Sequence, residues 1–383
     1  MRYSFRLAEL LGHVPDPRRR PGTIKAIVEY TGLDRHQVAA LLKNEIKYIP
    51  LQALSRLCDY LIEHGYVSAD QLPGALFAVE PENFWELLAR RRRLEMCLGV
   101  RTGEEEWPER AWVVASDCVL LGELLNGVST LGGTAKHQSP QGSGVFPPHP
   151  EHLQQSLVWS PGQVPPKEVI TRAYEVYDQF SRPGSDKAMI CLGSMKSNPV
   201  AELILAESFG CEPFTPADDV PESSRRTCPI FLRYRADDPH PPSCAGGLRL
   251  SKTQEVTSPG IYFETKNGQW EYCGWDHPEN DTALVFYVHR ESQGRLEMLL
   301  GGFSGRATRL LARTLASRAE EFWPPVYSRH GIQAGAYIVK YHFAKDDRLP
   351  DLLETDLVAD TKIIPLDYEV IARRLNTGKN DVD

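Results

Sequence analysis

The sequence predicts an α/β protein with two unequal parts: a small all-α head at the N-terminal end and a larger layered α/β body with a mostly parallel sheet. Three observations lead there. Between residues 22 and 77, apolar side chains recur at helical spacing in short stretches broken by turn residues. Beyond residue 109, strand-like apolar runs alternate with helical ones, the pattern of a sheet covered by crossover helices. The 383 residues, 42% hydrophobic and 25% charged, suit two or three globular domains and exclude a fibrous or wholly disordered chain. No apolar run reaches the roughly 18 residues that a bilayer span needs, and the opening residues lack the order of a signal peptide. A cytoplasmic setting without membrane contact is expected.

In the head, Ile24, Ile27 and Val28 share one face of a first helix. Asp34 is placed to cap a second, in which Val38, Leu41 and Leu42 face inward. A third helix over 51–63 carries Leu54, Leu57, Cys58 and Leu61 at helical spacing, and Gly65 ends it. Gly32 and Leu33 make so short a link that the first two helices must cross at an angle. The charge divides here as well: residues 1–66 hold 10 Lys/Arg against 7 Asp/Glu and the remainder 33 against 44, within a net charge of −8. A mildly basic head on an acidic body excludes a protein that coats nucleic acid with its whole surface. It permits a small DNA-contacting head.

Reading bases in a duplex needs a short helix with small, polar or basic outer residues, its inner face held by a second helix. In the segment DRHQVAALLKN, Arg35, His36, Gln37, Ala40 and Lys43 face outward. Arginine suits guanine, glutamine suits adenine, and alanine leaves room for close approach. Thr23 and Lys25 on the supporting helix, and Lys47 and Tyr48 after the reading helix, suit the phosphate backbone; Arg18, Arg19 and Arg20 would form a basic arm. The stretch IVEYTGLDRHQVAALLKNEIKYIPLQALSRLCDYL has a TGLD turn at 31–34, apolar Val38 and Leu42, a turn at Ile49 and Pro50, and an LxxLCDYL helix. It resembles the Cro/C1-type helix-turn-helix of bacterial repressors. The resemblance covers the head alone, and only SFRLAELLG is present to supply the family's first helix. It implies sequence-specific binding of double-stranded DNA by a homodimer and a role in transcription regulation. A helical bundle that binds protein, or merely caps the body, is the alternative.

These readings divide the chain into a head at 1–78, a connecting helix and linker at 79–108, an α/β body at 109–375 and a polar tail at 376–383. The connecting segment 81–98 reads as one helix. Its arginine run 90–93 would sit at a dimer seam, meet phosphate or face water. In the body, 112–115 reads as a strand leading into a helix, and 132–166, rich in Gly, Pro, Ser, His and Gln, as an irregular loop. Residues 167–180 read as a helix and 187–192 as a buried strand with a helix after it. Residues 212–280 are irregular apart from a hairpin across Asn267 and Gly268. Residues 282–289, 296–300 and 336–343 read as strands, with a long helix after the second of them.

Two body strands run into glycine- and serine-bearing turns just before a helix. That arrangement aims backbone N–H groups and the positive end of a helix dipole at an anion. The first turn supplies Gly193, Ser194, Lys196, Ser197 and Asn198; the second supplies Gly302, Ser304, Gly305 and Arg306. Neither is a GxxxxGK[ST] or GxGxxG loop. The second is no nucleophile elbow either, since Arg306 stands where GxSxG needs glycine. The body loosely resembles Rossmann-type nucleotide-binding domains, which implies a small anionic or nucleotide-like ligand at the strands' C-terminal ends. Two tight turns whose glycines serve packing alone are the alternative.

No catalytic residue is assigned. Asp117, Glu123, Glu202, Asp281, Ser194 and Ser304 are candidate acids and nucleophiles, but no spacing pairs them. Glu202 lies one turn into the helix after the first loop, where an enzyme cleaving or transferring a nucleotide or NAD-like glycosidic bond would place its carboxylate. His289, His330 and His342, in or near strands, read as structural. Eight cysteines, none in a CxxC pair, fit a reduced protein. Cys228, His240 and Cys244 match no closed zinc spacing, so no metal is expected, and no cofactor is indicated. Taken whole, the sequence describes a DNA-binding regulator whose body senses a ligand. The rival is a nucleotide- or NAD-processing enzyme with a DNA-binding head, and a third reading is a partner-binding protein with no ligand.

Overall fold

The computed structural model describes residues 3–11, 21–43, 45–67, 69, 72, 76–79, 81–103, 111–133, 150–182, 186–220, 227–251, 257–276, 278–329, 331–343 and 358–376. The expected arginine arm 18–20, most of the acidic stretch 103–110, His330 and nearly all of the tail lie outside the described residues.

Strand β1 (Tyr3–Phe5) pairs antiparallel with β2 (Phe77–Val79), so the head's two ends meet. Between them run α1 (Leu7–Leu10), α2 (Pro21–Thr31), α3 (Arg35–Leu42) and α4 (Leu51–Glu63). Leu7, Ile27, Val38, Leu41, Leu57 and Leu61 are buried in one core. Each such side chain stabilises by about 1.5–3 kcal/mol on burial. At eight residues, α3 is too short to persist alone, and this core holds its inner face. The head touches the body where α1 lies against the turn Glu291–Gln293.

The body is built on a nine-stranded sheet. Its central strands are β3 (Arg93–Thr102), β6 (Lys187–Leu192), β12 (Arg295–Gly302), β11 (Asn280–Arg290) and β14 (Ile332–Phe343). Strands β4 (Ala111–Val113) and β5 (His152–Trp159) join at β3, while β13 (Tyr327–Arg329) and β15 (Val358–Pro365) join at β14. Helices α5 (Phe84–Ala89), α6 (Ala115–Thr130) and α9 (Gly305–Arg318) cover one face. The other is covered by α7 (Pro166–Ser181), α8 (Val200–Phe209) and α10 (Tyr368–Arg374). A small second sheet of β7 (Ile230–Arg233), β8 (Gly246–Gly247), β9 (Gly260–Glu264) and β10 (Trp270–Gly274) packs on that same side.

Three expectations need correction. The sheet is mixed, not mostly parallel: β5, β3, β6 and β12 run parallel to their neighbours in that series, but the β11–β12, β11–β14, β14–β15, β13–β14 and β3–β4 pairs are antiparallel. Only the tight turn Glu291–Gln293 and Gly294 separate β11 from β12, and so short a link joins only antiparallel strands.

The segment 81–98 is not one helix. Asn83 caps α5, which stops at Ala89, and β3 follows. Leu94, Met96 and Leu98 alternate into the core under α6 and α9, while Cys97 faces the opposite core. A strand buried on both faces reads as an apolar run and imitates a helical stripe. The arginine run is not on one helix, and each of its members has a carboxylate partner. Arg90 pairs with Glu86 at 3.0 Å, Arg91 with Asp186 at 2.7 Å, Arg92 with Glu151 at 2.9 Å, and Arg93 with Glu95. Strand β3 therefore belongs to the body's sheet.

Finally, residues 132–166 are not irregular throughout. Strand β5 lies within them and pairs with β3 along its length. Only its last residues are buried, so it lacks the apolar alternation that marks a half-buried strand.

Candidate functional site

Helix α3 begins with a reciprocal cap. The Gln37 N–H donates to the Asp34 carboxylate at 2.8 Å, and the Asp34 N–H donates to the Gln37 side-chain oxygen at 3.0 Å. This pre-forms the helix start, and it occupies the Gln37 oxygen that a paired contact with adenine would need. The side chains of Arg35, His36, Lys43, Lys47 and Tyr48 are exposed and make no hydrogen bond or ion pair with another described residue. Ala40 sits between His36 and Lys43 on the outer face, half-buried, while Val38 and Leu41 are sequestered beneath. Lys25 is exposed and stands 3.7 Å from Glu29, a pair weak enough to yield to a phosphate. Thr23 is on α2, and its side chain lies outside the described residues. Of the expected DNA-facing side chains, Arg35, His36 and Lys43 are thus exposed at α3 and its C-cap, and Gln37 is partly taken up by capping.

The two glycine-bearing loops meet at the C-terminal ends of β6 and β12. A side chain at Gly301 would come within 2.6 Å of the Gly193 and Ser194 backbone, and Gly193 itself has φ +97°. Their polar groups bond mainly to the protein. The Asn198 amide donates to the Cys97 and Leu192 carbonyls, and its oxygen accepts the Val200 N–H. The Ser197 hydroxyl donates to the Ser194 carbonyl. Lys196 pairs with Asp238 at 3.1 Å and stands 3.8 Å over the Phe303 ring. Burial pushes the lysine down, against the pull of Asp238. Burial pushes the Asp238 carboxyl up, but Arg235 and Lys196 outweigh it and hold it below its ordinary value.

In the second loop, Ser304 caps α9 by accepting the Arg306 and Ala307 N–H groups and donates to Asp281. The Gly302 N–H donates to Thr308. Arg306 donates to the Pro278 carbonyl and lies over the Phe343 ring. Gly305 places its Cα near Ser116 at the start of α6. The turns also pack as the alternative reading required.

Of the candidate acids, Asp117 is buried at the start of α6, where burial pushes it up despite Ser116, and one oxygen has no partner. Asp281 is likewise pushed up by burial and held by Ser304 and the Thr282 N–H. Glu123 is half-buried on α6, away from both. His289 lies against Arg91 and is kept neutral by burial and that charge; His342 meets Asn280.

Glu202 lines a cavity of about 300 Å³ beside the first loop. Its walls come from the starts of α7 and α8, from Met195 and from the segment 239–243. One carboxylate oxygen accepts the Cys244 N–H at 2.7 Å and the Phe214 N–H at 3.2 Å; the other accepts the Ser243 hydroxyl. Burial pushes this carboxyl up and these donors oppose it. Tyr234 is buried near Ser243, and burial pushes its hydroxyl well up. Tyr234, Asp238 and Ser243 were not singled out from sequence. The proline cluster around 239–242 was the available signal, and it reads equally as a loop. Among the described residues, no group of three or more His, Cys, Asp or Glu side chains could hold a metal.

None of the described helices is long and apolar enough to cross a membrane. No curated protein and no solved structure matches the chain. A family model does match it: residues 18–62 fit the Cro/C1-type HTH DNA-binding domain. Those residues take in α2, α3 and all but the end of α4, so the head of this chain is a Cro/C1-type helix-turn-helix domain.

Proposed function

We propose that the protein is a sequence-specific transcriptional regulator that binds double-stranded DNA as a homodimer and whose body senses a small molecule. The observation that carries the DNA reading is the outer face of α3. A capped helix start supports Arg35, His36 and Lys43, whose side chains are exposed and have no partner among the described residues. Base edges and phosphates supply the partners those groups lack. Two heads on adjacent major grooves would sit about 34 Å apart, so a change in body geometry alters half-site fit and hence affinity.

The test is fluorescence anisotropy on fragments of the gene's own promoter, with random DNA as competitor. Arg35→Ala with Lys43→Ala should lose the preference for promoter DNA while keeping weak, salt-sensitive binding. Unchanged discrimination in that double variant would take α3 out of base reading.

For the body, the support is a cavity at the C-terminal ends of the parallel strands, the place where ligands bind in open α/β sheets. A nucleotide-like anion on the two loops is the second reading, favoured by the starts of α6, α8 and α9 converging there. It requires Lys196 to leave Asp238. Glu202→Gln separates sensing from glycosidic-bond catalysis, because a hydrolase would lose turnover.

A further inference from the structure

The cavity beside Glu202 has a composition that selects its ligand. Its lining is mostly apolar, with Val169, Ile170, Met195 and Pro199 on one side and Pro241 and Pro242 on the other. Its volume of about 300 Å³ is twice the roughly 150 Å³ apolar cavity known to take one benzene ring. A single ring with a short substituent fits. Among its lining residues, Glu202 supplies the carboxyl and His240 the imidazole.

Glu202 has three donors and no cation. Two of the donors are backbone N–H groups, which can only donate, so its oxygens are set up as acceptors. Ser243, Cys244 and Phe214 all donate to it, and none of them brings a charge. No lysine or arginine among the described residues pairs with it. A buried carboxylate without a counter-charge is costly, and burial accordingly pushes Glu202 up. Tyr234 also lines the cavity.

We propose that this cavity binds a small organic cation, a ring-sized hydrocarbon bearing a protonated amine, with the amine on Glu202 and Ser243 and the ring among the prolines and Met195. The assignment rests on the sensing role proposed above and supplies its ligand class. The ammonium provides the missing charge, and the ring displaces water from an apolar wall. A carboxylate or phosphate of the same size would be driven off by Glu202.

The test uses the full-length protein and isothermal titration with benzylamine, cyclohexylamine and phenethylamine against benzyl alcohol and benzoate. At least one amine should bind ten times more tightly than benzyl alcohol, and benzoate should not bind. Glu202→Gln should bring that amine down to the level of the alcohol. Ile170→Trp, which keeps the carboxyl and fills the cavity from α7, should abolish amine binding even if the first variant fails to fold. Binding by none of the amines, equal binding of benzyl alcohol, tighter binding of benzoate, or an amine unaffected by Ile170→Trp would each overturn the proposal. Promoter affinity measured with and without saturating amine is a separate readout. An amine that binds the cavity and leaves DNA affinity unchanged removes the sensing role and keeps the ligand class.

Discussion

Head and body use polar groups in opposite ways. At α3 and its C-cap, the side chains of Arg35, His36 and Lys43 have no partner among the described residues, while the body's loops give Lys196 to Asp238, Ser304 to Asp281, and Asn198 to two backbone carbonyls. A surface whose donors are free is a surface that can exchange water for a partner at little cost. A loop whose donors are already bonded is part of the scaffold, whatever its glycine content. The glycines at 193 and 301 follow from how closely the two loops approach, and the cavity that remains lies to one side of them.

Breaking this contrast in the body should have the largest effect. Asp238→Asn leaves Lys196 buried without its charge partner and should cost about 3–5 kcal/mol, read by urea unfolding. Because Asp238 is held below its ordinary value, its contribution is complete above the unfolded pKa of about 4 and fades as pH falls through the folded value. The deficit of the variant should therefore shrink in acid. A deficit constant from pH 7 to pH 3 would remove the ion pair from the account.

In the head, Leu57→Ala opens a fully buried site and should cost about 2–5 kcal/mol. Hydrogen exchange should then show α3 losing protection while β12 keeps it, and DNA binding should fall with α3. Equal loss in both would mean that head and body unfold as one unit.

Asp34→Ala removes the carboxylate that accepts the Gln37 N–H and should cost about 1 kcal/mol of head stability. The backbone N–H at position 34 remains and still bonds the Gln37 oxygen, so the base preference of α3 should not change. A shifted base preference would mean that the cap also sets the reading face. The smallest effect belongs to Arg92→Ala. Its partner Glu151 is an exposed carboxylate on the body, so neither the melting temperature nor promoter affinity should move. A loss of affinity would return the arginine run to the DNA interface.

The head was legible because its information is local. Asp34 three residues before Gln37, Val38 and Leu41 one turn apart, and Leu57 and Leu61 at the same spacing specify capped, one-sided helices without reference to the rest of the chain. The body's strands were partly legible too, since 187–192 and 296–300 are apolar runs of strand length. Residues 94–98 misled because a strand buried on both faces shows no alternation in hydropathy. Strand β5 escaped because its polar side chains face water. The direction of β12 against β11 was within reach, since the short turn between them leaves only the antiparallel choice.

By itself the sequence determined the helices of the head, the outward placement of Arg35, His36 and Lys43, and the positions of the two glycine-bearing turns. Each depends on residues within a turn or two of one another. The tertiary structure alone decided the order and direction of the sheet, the partners of the 90–93 arginines and the surroundings of Glu202. Those depend on groups far apart in the chain: Arg91 meets Asp186, Lys196 meets Asp238, and Glu202 meets Ser243. Whether a buried charge is paired, and so whether it is scaffold or site, is a property of such long-range contacts and has no signature in local spacing.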